Sequence, residues 1–252
     1  MEEKKAVILL SGGMDSTVLL YYMLSENWQC HALSIHYGQR HSRELAAARA
    51  IANKVRVPHI ECDLGQIRGL LRGSSQTDAV PVPEGHYEDP VMRLTVVPNR
   101  NMILLSVAAA TAIGIGAKVV AYAAHTGDHA VYPDCRPEFI KALGTALRLC
   151  HYDDGVRLMS PFVNKSKADI ARIGAGLAVP FELTYSCYQG QAKRSSWPEY
   201  PTPLSTIQSY EEGEKAGHTE CSCRCRGCSF GGREHHFQRR AGRPLHLPGP
   251  HG

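Results

Sequence analysis

The densest chemistry in this sequence lies near its start, in Leu10-Ser11-Gly12-Gly13-Met14-Asp15-Ser16-Thr17. An apolar run over residues 6–10 leads into it, and apolar Val18, Leu19, Tyr22 and Met23 follow at helical spacing. The segment therefore reads as a turn between a buried strand and a helix N-terminus. The N–H groups that open a helix are unpaired and carry positive partial charge, so a phosphate fits against them. Adjacent glycines let the backbone come close to another group, and Ser11, Ser16 and Thr17 add hydroxyls. No lysine follows as in the common nucleotide triphosphatase loop. The pattern is not Gly-x-Gly-x-x-Gly either, which argues against a dinucleotide.

Arginines mark other stretches. Tyr37-Gly38-Gln39-Arg40-His41 follows a second strand over 30–36, at the end of the sheet where ligands bind. Pro98-Asn99-Arg100-Asn101 opens an apolar, alanine-rich helix over 101–113. Tyr132-Pro133-Asp134-Cys135-Arg136-Pro137-Glu138-Phe139 opens another over 137–150. Arg40 and Arg100 are candidates for a phosphate or a carboxylate, since guanidinium binds either one bidentately. Arg136 could hold an anion. Simpler roles stand beside these: an arginine at a helix start is commonly a solvated charge, and Asp134 could cap the helix after it. Cys135 reads as a small buried residue. His36, His41 and His125 read as structural, and Lys165 and Lys167 as lying on a solvated face, with a phosphate contact as the alternative.

The remaining elements follow from pattern. Residues 43–54 read as a helix, 59–62 as a strand, 65–72 as a short helix, 118–123 as a strand and 166–174 as a helix. Ser166 is the N-cap of that last helix, with Asp169 three residues on. Alternating strands and helices predict an α/β fold, a parallel twisted sheet with helices on both faces. Residues 73–98 are proline-rich and read as a functional loop or lid. The pattern divides the chain into an α/β domain over 1–188, a polar linker over 189–220 and a cysteine-rich segment with its tail over 221–252.

Of nine cysteines, Cys221, Cys223, Cys225 and Cys228 are crowded together. In a reducing compartment such crowding points to a metal before a disulfide. The N-terminus does not read as a signal peptide, and no run approaches a membrane span. A cytoplasmic protein with no membrane partner is expected. The net charge of +4 is too mild to argue for nucleic acid and suits an anionic small substrate equally well.

The phosphate-loop motif resembles that of the N-type ATP pyrophosphatases, which implies an adenine-nucleotide α-hydrolase-like sheet and use of ATP with Mg2+. The arginine stretches, with Thr184-Tyr185-Ser186-Cys187-Tyr188, narrow the likeness to the 7-cyano-7-deazaguanine synthases of queuosine biosynthesis. The resemblance spans residues 7–188. It implies a carboxylate activated as an acyl-adenylate, then ammonia added, with 7-carboxy-7-deazaguanine, ammonia and ATP as substrates. It also implies a homodimer. Ser11, Asp15, Ser16, Arg100, Asp134 and Arg136 become the candidate catalytic residues, with Asp134 able to accept from a guanine-like edge. Leu10, Ser11, Gly12, Gly13, Met14, Asp15, Ser16, Thr17 and Arg40 become the nucleotide site.

The resemblance further implies one structural Zn2+ on four cysteines. Cys187, Cys225 and Cys228 match the expected ligands, but Ser222 stands where the fourth belongs. Either Cys221 or Cys223 can replace it, and Cys221 is preferred because ligands one residue apart point apart in extended chain. Two other readings stay open. One is a different adenylating ligase or tRNA thiolase of the same superfamily. The other is a nucleotide or deazapurine binder without turnover.

Overall fold

The computed structural model describes residues 4–38, 43–71, 73–74, 94, 96–152, 155–185 and 211. Among these, five parallel strands form a sheet: β1 Lys5–Leu9, β2 Gln29–His36, β3 His59–Asp63, β4 Val119–Ala121 and β5 Arg157–Met159. Their spatial order is β3-β2-β1-β4-β5. The helices are α1 Met14–Ser25, α2 Arg43–Val55, α3 Arg100–Gly114, α4 Pro137–Leu149 and α5 Lys167–Gly176.

β1 shows why the sheet is covered twice. Ala6, Val7 and Ile8 are all fully buried, although successive side chains point to opposite faces. Ala6 and Ile8 join an apolar cluster with residues of α1, α2 and α5. Val7 joins the other cluster, with residues of α3 and α4. Where a strand is buried on both faces it must be apolar, as Ala6–Ile8 are. On the α3 face, Leu105, Ala108, Ala109 and Ala112 recur at helical spacing. On the α1 face, a Cβ at Gly174 of α5 would come within 2.7 Å of Val18 and of the Phe181 ring.

The α/β reading holds, with element ends shifted by at most two residues. The helix over 65–72 is a 3-10 turn, Gly65–Leu70. β5 was not anticipated. The Ser166 cap is present: its hydroxyl accepts from the Asp169 N–H at 3.2 Å, and the Asp169 carboxylate accepts from the Ser166 N–H at 3.0 Å. That backbone bond holds the Asp169 carboxyl below its ordinary range.

β1 pairs with β2 on one side and β4 on the other. The connection from β1 runs one way across the sheet and the later chain returns the other way. This is the switch point where open α/β sheets bind ligands, at the carboxyl ends of the strands. Among the described residues no helix is long and apolar enough to cross a membrane. Arg40, His41, Cys187, Cys221, Cys223, Cys225 and Cys228 lie outside the described residues, as do nearly all of 189–252.

Candidate active site

At the end of β1 the chain turns at Gly12, with φ +86°. A Cβ there would lie 2.3 Å from the Glu44 carbonyl oxygen and 2.8 Å from the Ala48 nitrogen. The first turns of α2 thus close onto the loop, and both the space and the dihedral require glycine. Gly13 is extended and is the N-cap of α1, with no side chain to meet the first-turn N–H groups. That leaves an anion-binding end facing the switch point.

The loop hydroxyls fold the turn on itself. Ser16 Oγ accepts from the Ser11 N–H at 3.2 Å and lies 3.0 Å from Ser11 Oγ. Thr17 differs from its expected role. It is fully buried, and its hydroxyl donates to the Gly13 carbonyl at 2.7 Å, so it braces the turn and does not offer a donor to phosphate. The Met14 side chain packs into the core, which leaves only its backbone for a ligand.

A second brace comes from β2 and β3. The Ser34 hydroxyl donates to the Leu10 carbonyl at 2.6 Å and lies 2.8 Å from His59 Nε2. A hydroxyl has one proton. With that proton on Leu10, Nε2 of His59 must donate, leaving Nδ1 bare toward Glu61 at 3.7 Å.

Asp15 is the loop residue with unmet capacity. Its Oδ1 is buried and has no hydrogen-bond partner. Its Oδ2 lies 3.7 Å from His125 Nε2 and 3.9 Å from Lys167 Nζ. Asp128 Oδ2 lies 3.5 Å from the same His125 nitrogen. His125 Nδ1 accepts from the Gly127 N–H at 3.1 Å, so the ring proton is on Nε2, between the two carboxylates. Lys167 does not sit on a solvated face: its side chain is 12% exposed and turned to Asp15.

These groups open on a cavity of about 230 Å3. It is lined by Ser11, Gly13, Asp15 and Ser16 of the loop together with Arg100 and Asn101 of α3, and by Tyr37, Glu44 and Asp128. The Arg100 guanidinium stands 5.5 Å from the Tyr132 ring centroid, a cation–π distance. Burial pushes the Glu44 carboxyl up to about 7, and nearby Arg100 pulls the other way. Burial also pushes the Tyr122 phenol and Cys135 thiol far up, so both stay neutral. Cys135 accepts from Asn101 Nδ2 at 3.3 Å, in keeping with a small buried residue.

Other expected site residues fall outside this lining. Asp134 Oδ2 accepts from the Asn101 N–H at 3.0 Å, so it caps α3 and not the helix that follows it in sequence. Arg136 is exposed, and its Nε donates to the His129 carbonyl at 2.8 Å. Glu44 and Asp128 were missed. A glutamate in a helix's first turn reads as a dipole partner, and Thr126-Gly127-Asp128 reads as a turn; neither pattern signals a cavity.

The donor set fits a divalent cation travelling with a polyphosphate. Mg2+ keeps several waters and takes one or two carboxylates plus phosphate oxygens, and the orphaned Asp15 Oδ1 is such a carboxylate oxygen. Among the described residues no group of three His, Cys, Asp or Glu forms a complete protein cage.

A family model described as queuosine biosynthesis protein QueC matches residues 5–230. The 7-cyano-7-deazaguanine synthase of Archaeoglobus fulgidus is 50% identical over 186 residues, covering 74% of this chain and 78% of that one. The 7-cyano-7-deazaguanine synthase of Methanoregula boonei is 48% identical over 189 residues, covering 75% and 87%. The protein of the same description from Pseudoalteromonas translucida is 45% identical over 190 residues, covering 75% and 87%.

Proposed function

The chain belongs to the family of queuosine biosynthesis protein QueC, and from that premise we propose how its cavity converts 7-carboxy-7-deazaguanine, ammonia and ATP into 7-cyano-7-deazaguanine. The enzyme is an ATP-dependent carbon–nitrogen ligase. The observation that carries the reading is a cavity at the β1–β4 switch point that is lined by both the glycine turn and Arg100.

The substrate carboxylate attacks the α-phosphorus of ATP, pyrophosphate leaves, and an acyl-adenylate forms. Ammonia attacks its carbonyl carbon and AMP leaves, giving the amide. A second adenylation on the amide oxygen, with loss of pyrophosphate, AMP and both N–H protons, gives the nitrile. In this scheme the chain's work is to position reactants and steady charge on the phosphates. Ser11, Gly12, Gly13, Asp15, Ser16 and the Met14 backbone cradle the phosphates, with Leu10 fixing where the turn starts. Arg100, joined by Arg40, meets a phosphate or the substrate carboxylate. Mg2+ bound at Asp15 would neutralise the departing pyrophosphate.

The same reading includes a structural Zn2+ on Cys187, Cys221, Cys225 and Cys228, and a boundary between a ligase domain over 1–188 and the later segments. It also includes a homodimer working in the cytoplasm on small molecules, without nucleic acid. These features rest on the family resemblance.

The test is mass spectrometry of the protein incubated with 7-carboxy-7-deazaguanine, ammonium and MgATP. The nitrile should form, and Ser11→Ala or Asp15→Ala should abolish it. Intact substrate with folded protein would discard the reading in favour of another carboxylate or a non-catalytic binder.

A further inference from the structure

Glu44 is a cavity acid that the phosphate loop does not account for. It lies in the first turn of α2 and lines the cavity with Arg100 and the loop residues. Its backbone carbonyl is the group that closes on Gly12, so the carboxyl-bearing turn is locked to the phosphate loop. Its position relative to an α-phosphate on that loop is therefore fixed by backbone packing.

We propose that Glu44 is the general base that takes a proton from the substrate nitrogen in both carbon–nitrogen steps. The proposal rests on the function given above. As ammonia adds to the acyl-adenylate, the new C–N bond makes the nitrogen acidic. Glu44 takes one proton, the carbon–oxygen bond to AMP breaks with its electron pair, and the amide remains. The amide oxygen then attacks a second ATP, pyrophosphate leaves, and one N–H proton passes to solvent, giving the adenylated imidate. Glu44, its first proton released, takes the last N–H proton, the freed pair forms the third C–N bond, and AMP leaves again. The amide stage releases one proton and one AMP, the nitrile stage two protons and one AMP. No other reactant is needed.

Other groups around the cavity suit this task less. Asp15 and Asp128 both face His125, and Asp15 also faces Lys167, at the end of the loop where phosphates belong. Tyr122 and Cys135 stay protonated, and Tyr37 is a phenol on the wall. Arg100 is the cation beside Glu44 and pulls its carboxyl down, against burial, which pushes it up to about 7. A base works best when its pKa lies near the working pH. Of the groups on elements packed against α2, Glu61 pairs with Arg49 at 2.8 Å with His59 beside it, and Glu182 acts on Tyr21. None of these five lines the cavity.

The experiment compares the full-length protein with Glu44→Gln and Glu44→Asp, at saturating ammonia. Nitrile formation by the unaltered protein checks the function itself. Glu44→Gln should keep substrate-dependent pyrophosphate–ATP exchange, which reports folding, binding and the first adenylation. It should lose nitrile formation by about 10²- to 10⁴-fold, the usual range for a general base. It should recover much of its acyl transfer with hydroxylamine, which needs less help from a base. In the unaltered protein kcat should fall below about pH 7; that fall should vanish in Glu44→Gln and persist, displaced, in Glu44→Asp. Equal loss of exchange and nitrile formation would overturn the proposal, as would full ammonia-dependent activity of Glu44→Gln. If Glu44→Gln does not fold, an undisplaced acid limb in Glu44→Asp would overturn it.

Discussion

The carboxylate of Asp134 accepts the backbone N–H of Asn101 at 3.0 Å, across 33 residues of sequence. It caps α3, whose N-cap residue Asn99 is left-handed at φ +58° and makes no side-chain cap. The helix that carries Arg100 into the cavity is thus held from the segment before α4. Asp134→Ala should cost about 1 kcal/mol of stability, as loss of an N-cap does, while Asp134→Asn should keep most of it. Denaturant unfolding of the three proteins checks this. Unchanged stability with a raised KM for the deazapurine would mean that the carboxylate serves the ligand and not the helix.

Gly12 should tolerate nothing larger. Gly12→Ala would place its Cβ 2.3 Å from the Glu44 carbonyl oxygen, which forces α2 outward. The left-handed dihedral adds roughly 1–2 kcal/mol and the overpacking roughly 1–3 kcal/mol more. Both stability and turnover should fall. Gly176→Ala is the control: it meets no atom within 4 Å, lies at the end of α5, and should be neutral or stabilising by up to about 1 kcal/mol. Similar unfolding midpoints for the two variants would refute this account of the turn.

Stability near pH 6 should depend on His59. Burial lowers its pKa, with Glu61 pulling it up and Arg49 down. The unfolded chain then binds a proton more readily than the folded one. The stabilisation is complete above the ordinary histidine value of about 6.5 and is lost as pH falls through it. Glu44 acts in the opposite sense: raised to about 7, it favours the folded state as pH falls from there. The clean measurement is therefore the difference between the unaltered protein and His59→Gln across pH 5 to 8, with Gln supplying a donor to Ser34. A difference that does not change with pH would show that His59 does not titrate in this window.

Removing zinc should loosen the later segments and spare the nucleotide site. Purified protein should hold one Zn2+, and a chelator should lower the thermal midpoint with little effect on ATP binding. Cys187→Ser should reproduce the effect. Zinc content well below one per chain would dismiss the site.

The strand–turn–helix around Ser11–Ser16 and the sheet class are legible in the order of residues alone. Both are written in local terms: an uninterrupted apolar strand, a glycine turn, and helical spacing after it. β5 escaped notice because Arg157–Met159 opens on an exposed arginine and is only partly buried, so it stands in no apolar run, unlike the equally short, fully buried β4. The roles of Glu44, Asp128, His125 and Lys167 were not legible for another reason. Each has an ordinary local explanation, as first-turn acid, turn residue, structural histidine or surface lysine. Only the parallel sheet, with β4 laid beside β1, brings residues 125–128 and the start of α5 to the mouth of the loop at 11–16. Asp134 makes the same point in reverse. Its neighbours in sequence promise a cap for α4, and packing gives it to α3 because that helix's uncapped N–H group is the one within reach.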